Sequence, residues 1–128
     1  MEHKINVEFT LTTDSIVNIL SMEAGGFDYW AELCFEQEDY EAARKRLVDA
    51  KKDDPCYEDV MAEILERGGK LNIWDREEDK DHPMTIEDLK KGVKLHLENG
   101  ASTDMDDWDA NDGDAVIQYA AFGEIIYG

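Results

Sequence analysis

The chain has 128 residues, a length typical of one domain with a single hydrophobic core. Its 32 acidic residues outnumber its 13 lysines and arginines, giving a formal net charge of -19. Such a charge repels nucleic acid and anionic lipid, so a basic protein surface is the favoured partner and direct binding of DNA, RNA or a membrane is disfavoured. No apolar stretch approaches the roughly 20 residues that cross a bilayer. The first residues do not resemble a secretory signal, so we expect a cytoplasmic protein.

Hydrophobic periodicity predicts two strands and three helices in the first half of the chain. Alternation of apolar and polar residues predicts strands at residues 5–11 and 27–35. A helical period predicts helices at residues 13–20, 39–51 and 57–65. Thr13 or Asp14 is expected to cap the first helix, and Gly25-Gly26 to end it in a left-handed conformation.

The second half predicts a hairpin followed by two helices. Residues 70–74 alternate briefly, and residues 75–83 form a charged, turn-forming segment at the surface. Thr85 begins a capping box for a helix that ends at Asn99-Gly100, and a last helix is expected at residues 115–122. The apolar residues 123–128 are expected to pack against the core, since their exposure would promote aggregation. The pattern predicts one α+β domain over residues 1–128, with a small mixed or antiparallel sheet packed against about four to five helices.

The acidic residues point most directly to a function, because residues 101–128 hold seven acids and no base. Carboxylates two apart on a strand lie about 6.6 Å apart, and those four apart on a helix about 5–6 Å, so a rigid acidic surface can imitate a row of phosphates. The alternative is that these acids are solvated loops and a helix cap. The predicted partner-binding residues are Asp104, Asp106, Asp107, Trp108, Asp109, Asp112, Asp114, Glu77, Glu78, Asp79 and Asp81.

The three tryptophans divide into two predicted roles. Trp108 lies amid aspartates, which favours an exposed aromatic anchor for a protein interface. Trp30 and Trp74 are expected to build the core of the domain.

The sequence offers no arrangement typical of a metal site or a catalytic centre. A calcium loop beginning at Asp107 would need glycine at its sixth position and glutamate at its twelfth, where Asp112 and Gln118 stand. The cysteines and histidines lack the spacing of zinc or redox motifs, and no serine lies in a nucleophile elbow. We therefore predict no metal, no cofactor and no enzymatic activity.

Four segments carry a resemblance to a known family. They are Gly-Gly-Phe-Asp-Tyr-Trp at residues 25–30, Arg-Gly-Gly-Lys-Leu at 67–71, Thr-Ile-Glu-Asp-Leu-Lys-Lys-Gly at 85–92, and Gln-Tyr-Ala-Ala-Phe-Gly-Glu-Ile-Ile-Tyr-Gly at 118–128. With them the chain resembles small acidic accessory proteins of phages and conjugative elements of Gram-positive bacteria. Such elements carry inhibitors of host defence, including anti-CRISPR and anti-restriction proteins, several of which are acidic nucleic-acid mimics. The resemblance implies this setting, in the cytoplasm of a bacterial host cell, without a mechanism.

Charge and resemblance together predict a non-enzymatic inhibitor that engages the basic nucleic-acid-binding surface of a host defence nuclease as a DNA mimic does. The alternative is a regulatory or structural protein-interaction module of a mobile element. That module would bind its partner through an apolar face, and its acidity would serve solubility only. A small-ligand carrier or an unrecognised enzyme would require a deep pocket.

Overall fold

The computed structural model describes residues 1–5, 8–21, 26–50 and 54–128. Within these ranges, five α-helices and one three-stranded antiparallel sheet confirm the predicted α+β class. In chain order the elements are α1 (Thr13–Ser21), β1 (Ala31–Cys34), α2 (Gln37–Asp49), α3 (Tyr57–Glu66), β2 (Leu71–Asp75), β3 (Lys80–Met84), α4 (Ile86–Glu98) and α5 (Ala110–Phe122). Single 3₁₀ turns, Phe27–Tyr29 and Met105–Asp107, precede β1 and α5.

The sheet has strand β2 in its centre and two different faces. In the register, Leu33 lies opposite Ile73, and Ile73 lies opposite His82, so these three residues share one face. Leu33 and Ile73 are buried, which makes this the core face. The opposite face carries Glu32, Trp74 and other residues that are exposed or partly exposed. We call it the open face, and it consists of Glu32, Cys34, Asn72, Trp74, Asp81 and Pro83.

Helices α4 and α5 pack closely in an antiparallel pair on the core. His96 of α4 bonds Asp112 of α5, and Gly92 of α4 lies against Val116 and Ala120 of α5. A Cβ atom built at Gly92 would lie 2.5 Å from the carbonyl oxygen of Val116. Because glycine has no side chain, α4 and α5 can approach each other closely at this position.

The predicted strand at residues 5–11 is wrong for its described part. Residues 5 and 8–11 belong to no strand, while Asn6 and Val7 lie outside the described residues. Phe9 stacks on Trp108 with ring centroids 6.2 Å apart, and Leu11 packs against the core. The alternation therefore reflects apolar side chains that pack on the rest of the domain, although the described residues of this segment pair with no strand.

The start and end of the first helix differ in detail from the prediction. Thr12 caps α1, because its hydroxyl oxygen accepts the Ser15 N–H at 3.1 Å, in place of Thr13 or Asp14. Gly26 has a φ of -106°, which is not left-handed, and Gly25 lies outside the described residues. The predicted strand at 27–35 shortens to β1 because its first residues form a 3₁₀ turn.

Other predictions are confirmed with shifted boundaries. The helices expected at 39–51 and 57–65 are α2 and α3, although residue 51 lies outside the described ranges. The hairpin is confirmed, but Asp75 and residues 80–83, predicted as part of a surface turn, belong to β2 and β3, and Asp75 is buried. Pro83 is tolerated there because β3 is an edge strand. The predicted capping box of α4 is confirmed, since the Asp88 carboxylate accepts the Thr85 N–H at 2.9 Å.

We expect Gly92→Ala to lower the free energy of unfolding by about 1–3 kcal/mol, because a methyl group would push α4 away from α5. Alanine's intrinsic helix preference, worth about 1 kcal/mol, acts in the opposite direction. Urea denaturation measures the difference. Lys91→Ala changes the exposed neighbour and should stay within about 0.5 kcal/mol of the wild type. A Gly92→Ala variant more stable than the wild type would contradict the close helix contact.

Candidate functional site

The predicted acidic residues of the hairpin lie at the surface. Glu77, Glu78 and Asp79 form most of the turn between β2 and β3, Asp81 lies on β3, and all four are exposed. The turn is shaped by the buried Asp75, whose Oδ1 accepts the N–H of Glu77 at 2.9 Å and of Glu78 at 3.2 Å. The ion pairs of the described residues involve other carboxylates. These four side chains, here called the hairpin acids, therefore carry charge that no described cation neutralises.

Arg76 brings two further carboxylates next to the turn. Its Nη1 donates to the backbone oxygen of Asp28 and, at 3.0 Å, to that of Ala31. Its Nη2 lies 3.7 Å from Asp28 Oδ1 and 3.8 Å from Glu32 Oε2. One guanidinium thus faces two exposed carboxylates, and the surroundings of the turn remain negative.

Three of the predicted aspartates near the start of α5 also lie at the surface. Asp104, Asp106 and Asp107 are exposed, in or beside the 3₁₀ turn that precedes α5. The Asp104 carboxylate accepts the Asp106 N–H at 3.0 Å, and the Asp107 carboxylate accepts the Ser102 hydroxyl at 2.9 Å. These short-range bonds fix the backbone of the turn while its carboxylates stay in contact with solvent.

The remaining aspartates of this region form hydrogen bonds within the protein, although Asp109 is exposed. Asp109 caps α5 by accepting the Asn111 N–H at 2.9 Å. Asp112 accepts the Asp109 N–H at 2.8 Å and lies 2.6 Å from His96 Nε2. Asp114 accepts the Trp30 indole N–H at 2.7 Å. The predicted acidic row is therefore interrupted by carboxylates that start α5 and join it to the core.

The prediction that Trp108 is an exposed anchor is wrong. The side chain is 8% exposed and stacks on Phe9, with His96 edge-on at 5.2 Å. Its indole N–H donates to the backbone oxygen of Ser102 at 2.8 Å. Polar neighbours in the sequence do not reveal this burial, because Trp108 fills the space between the amino-terminal segment and α4.

Trp74 is partly exposed, although we predicted from the sequence that it would lie in the core. It lies on the open face, where the register places Glu32 opposite it on β1 and Asp81 opposite it on β3. The sequence holds one signal for this position. Trp74 alternates with the buried Ile73 and shares its face with Asn72, so a period of two assigns it to the side away from the core.

Gln118 ties the carboxyl-terminal segment to the domain. Its buried side-chain oxygen accepts the N–H of Ile126 at 2.8 Å and of Tyr127 at 2.9 Å, and its Nε2 donates to the backbone oxygen of Tyr127 at 3.2 Å. The Tyr127 hydroxyl in turn donates to Asp75 Oδ2 at 2.8 Å. The predicted packing of residues 123–128 is thus right for Tyr127, while Ile125 and Ile126 stay 46% and 45% exposed.

The pKa values of two tyrosines in this region are raised. Desolvation and then hydrogen bonding to Asp114 raise the pKa of Tyr29 to about 12, although Gln118 acts weakly against them. Desolvation and the bond to Asp75, followed by the charges of the nearby hairpin glutamates, raise the pKa of Tyr127 to about 12. Both shifts have the same physical cause, since a phenolate would be poorly solvated and would face carboxylates.

A groove of about 1140 Å³ runs along α4 on another side of the molecule. Its apolar wall includes Phe9, Leu11, Ile86, Val93 and Leu97. Charged residues of both signs line it as well, namely Lys90, Lys91, Lys94, Glu66, Glu87 and Glu98. Lys90 pairs with Glu87 at 3.4 Å and Lys94 with Glu98 at 3.9 Å, so the groove is locally close to neutral.

Across the described ranges, no group of three or more histidine, cysteine or acidic side chains is placed to hold a metal ion. No helix in those ranges has the length and apolar composition needed to cross a membrane. The chain matches no family model, no curated protein and no solved structure. The charge and exposure of its surface side chains therefore provide the basis for proposing a function.

We expect Tyr29 and Tyr127 to ionise well above the ordinary tyrosine pKa of 10.0, near pH 12. A tyrosine whose pKa is higher in the folded state stabilises that state below pH 10, and this contribution is lost as the pH rises toward 12. Ultraviolet titration of tyrosinate should show one late group fewer in Tyr127→Phe than in the wild type. Tyr119→Phe, which removes a tyrosine outside this network, should leave the late groups of Tyr29 and Tyr127 in place. Ionisation of every tyrosine near pH 10 in the folded protein would contradict the network.

Proposed function

We propose that this chain is a non-enzymatic inhibitor that occupies the basic nucleic-acid-binding surface of a host defence nuclease, of the anti-CRISPR or anti-restriction type. The observation that carries the proposal is the group of four exposed hairpin acids without a described cationic partner, on a chain of net charge -19. The choice of a nuclease follows from the resemblance to small acidic proteins of phages and conjugative elements.

The hairpin acids are suited to a phosphate-binding groove because a short, bonded turn holds them in place. Asp75 fixes the backbone of Glu77 and Glu78, so little backbone conformational entropy remains to be lost on binding. Their charge steers the chain toward a cationic surface and makes association sensitive to salt. Asp104, Asp106 and Asp107 offer a second exposed acidic group with a similarly bonded backbone.

A different function is favoured by the groove along α4. Under this alternative the chain is a protein-interaction module of a mobile element that binds through its apolar side, and its acidity provides solubility. The apolar wall formed by Phe9, Val93 and Leu97 supports it. The two functions differ in their response to removal of surface charge.

We expect neutralisation of the hairpin acids to weaken binding to the nuclease by about 10- to 100-fold, the sum of four exposed charge interactions of about 0.5 kcal/mol each. The experiment mixes the purified protein with a panel of RNA-guided and restriction nucleases, with and without competing DNA, and measures affinity at two salt concentrations. The substitutions are Glu77→Gln, Glu78→Gln, Asp79→Asn and Asp81→Asn. Asparagine suits position 79, whose φ of 54° is left-handed.

The matched control removes the same number of charges from exposed positions on α1 and α2, outside the groove, by Asp14→Asn, Glu38→Gln, Asp39→Asn and Glu41→Gln. It should change affinity far less than the hairpin variant does. A third variant, with Asp104, Asp106 and Asp107 changed to asparagine, tests the second acidic group. Binding that survives neutralisation of both groups would favour the apolar module, and the absence of any nuclease whose binding DNA competes away would contradict the proposal.

A further inference from the structure

The open face of the sheet presents one aromatic ring between two carboxylates. Glu32, Trp74 and Asp81 lie directly opposite one another on β1, β2 and β3. Since neighbouring strands are about 4.8 Å apart, the two acidic residues flank the indole at that backbone spacing on either side. Glu32, Trp74 and Asp81 thus form a row across the sheet, and the pairing of the strands holds this row in place.

Trp74 is available for contact in a way that the other two tryptophans are not. Trp30 and Trp108 are buried, and their indole N–H groups donate to Asp114 and to the backbone oxygen of Ser102. In the described part of the chain, the Trp74 indole N–H donates to no group and no other ring packs on it. A partly exposed indole with a free donor is a common anchor of protein interfaces.

The charge next to this ring is negative. Asp81 has no ion pair among the described residues, while Glu32 is shared with Arg76, whose Nη2 lies 3.8 Å from its carboxylate. The Nη1 of Arg76 donates to the backbone oxygens of Asp28 and Ala31 beside β1. The other three hairpin acids lie in the adjoining turn and add to the local negative potential.

An arginine side chain matches this row better than other groups do. Its planar guanidinium stacks on an indole face, and the N–H groups at its edges bond carboxylates at the same time. A lysine ammonium is a more strongly hydrated point charge that cannot stack in this manner. Nucleic acid and a second copy of this chain are both repelled by the net charge of -19.

We propose that the open face binds an arginine of a basic protein partner, with the guanidinium stacked on Trp74 between Glu32 and Asp81. This inference rests on the proposed function, which supplies a basic partner, and it names the side chain recognised. Trp74 provides the stacking surface. Glu32 and Asp81 orient the guanidinium edges.

The test is a titration of the full chain with an acetylated, amidated Gly-Arg-Gly tripeptide, followed by NMR of the tryptophan indole N–H signals. The Trp74 signal is assigned by its loss in Trp74→Phe. We expect it to shift in the millimolar range typical of one side chain, while the Trp30 and Trp108 signals stay in place. Glu32→Gln combined with Asp81→Asn should weaken the binding about 10-fold or more.

Two controls separate recognition of arginine from general attraction. Glu87→Gln combined with Glu98→Gln removes two charges from α4 and should leave the Trp74 titration within about twofold of the wild type, since these exposed charges lie outside the open face. The same tripeptide with citrulline in place of arginine should not shift the signal, and the lysine tripeptide should bind more weakly. Equal shifts with arginine and either of these peptides would overturn the inference.

The titration needs no nuclease, so its failure differs from failure of the proposed function. A Trp74 signal that does not move with the arginine tripeptide overturns the arginine site and leaves any DNA-competed nuclease binding unaffected. A shift confined to Trp74, with no nuclease in the panel bound, supports the arginine site and overturns the choice of a nuclease.

Discussion

The buried carboxylate of Asp75 is the constraint on which both the hairpin turn and the carboxyl-terminal segment depend. A charge removed from water is costly unless hydrogen bonds replace its hydration. Asp75 receives such bonds from the N–H groups of Glu77 and Glu78 and from the Tyr127 hydroxyl. The same carboxylate therefore shapes the turn that displays the hairpin acids and holds the carboxyl-terminal segment, which Gln118 fixes from its other side.

The acidic residues of this chain fall into two groups with opposite physical roles. Asp75, Asp112 and Asp114 are buried or partly buried, and each accepts hydrogen bonds that join separate elements. The hairpin acids and the aspartates near residue 105 are exposed, and their mutual repulsion opposes compaction. A surface charge that contributes little to stability is well suited to recognition, whereas a buried carboxylate cannot be removed without leaving its donors unpaired. This division explains why net charge alone does not locate the binding surface.

The two faces of the sheet separate the residues that build the core from those proposed to contact a partner. Leu33 and Ile73 on the core face pack against the helices, and Trp74 on the open face lies between Glu32 and Asp81. Because consecutive strand residues point to opposite sides, the central strand serves the core and the surface at once. The groove along α4 lies elsewhere and is close to neutral, so the molecule offers two chemically distinct surfaces to a partner.

The sequence by itself determined the features that short-range contacts decide. The helical stripes, the capping box of Thr85 and Asp88 and the hairpin all follow from residues a few positions apart, and so does the α+β class. The tertiary structure alone decided which carboxylates are internal and that Trp108 is buried. Asp114 meets Trp30 across 84 positions and Asp75 meets Tyr127 across 52, separations over which no local pattern specifies a partner. The amino-terminal alternation was misleading for the same reason, since a period of two reports one buried side of a segment and not whether a strand is available to pair with it.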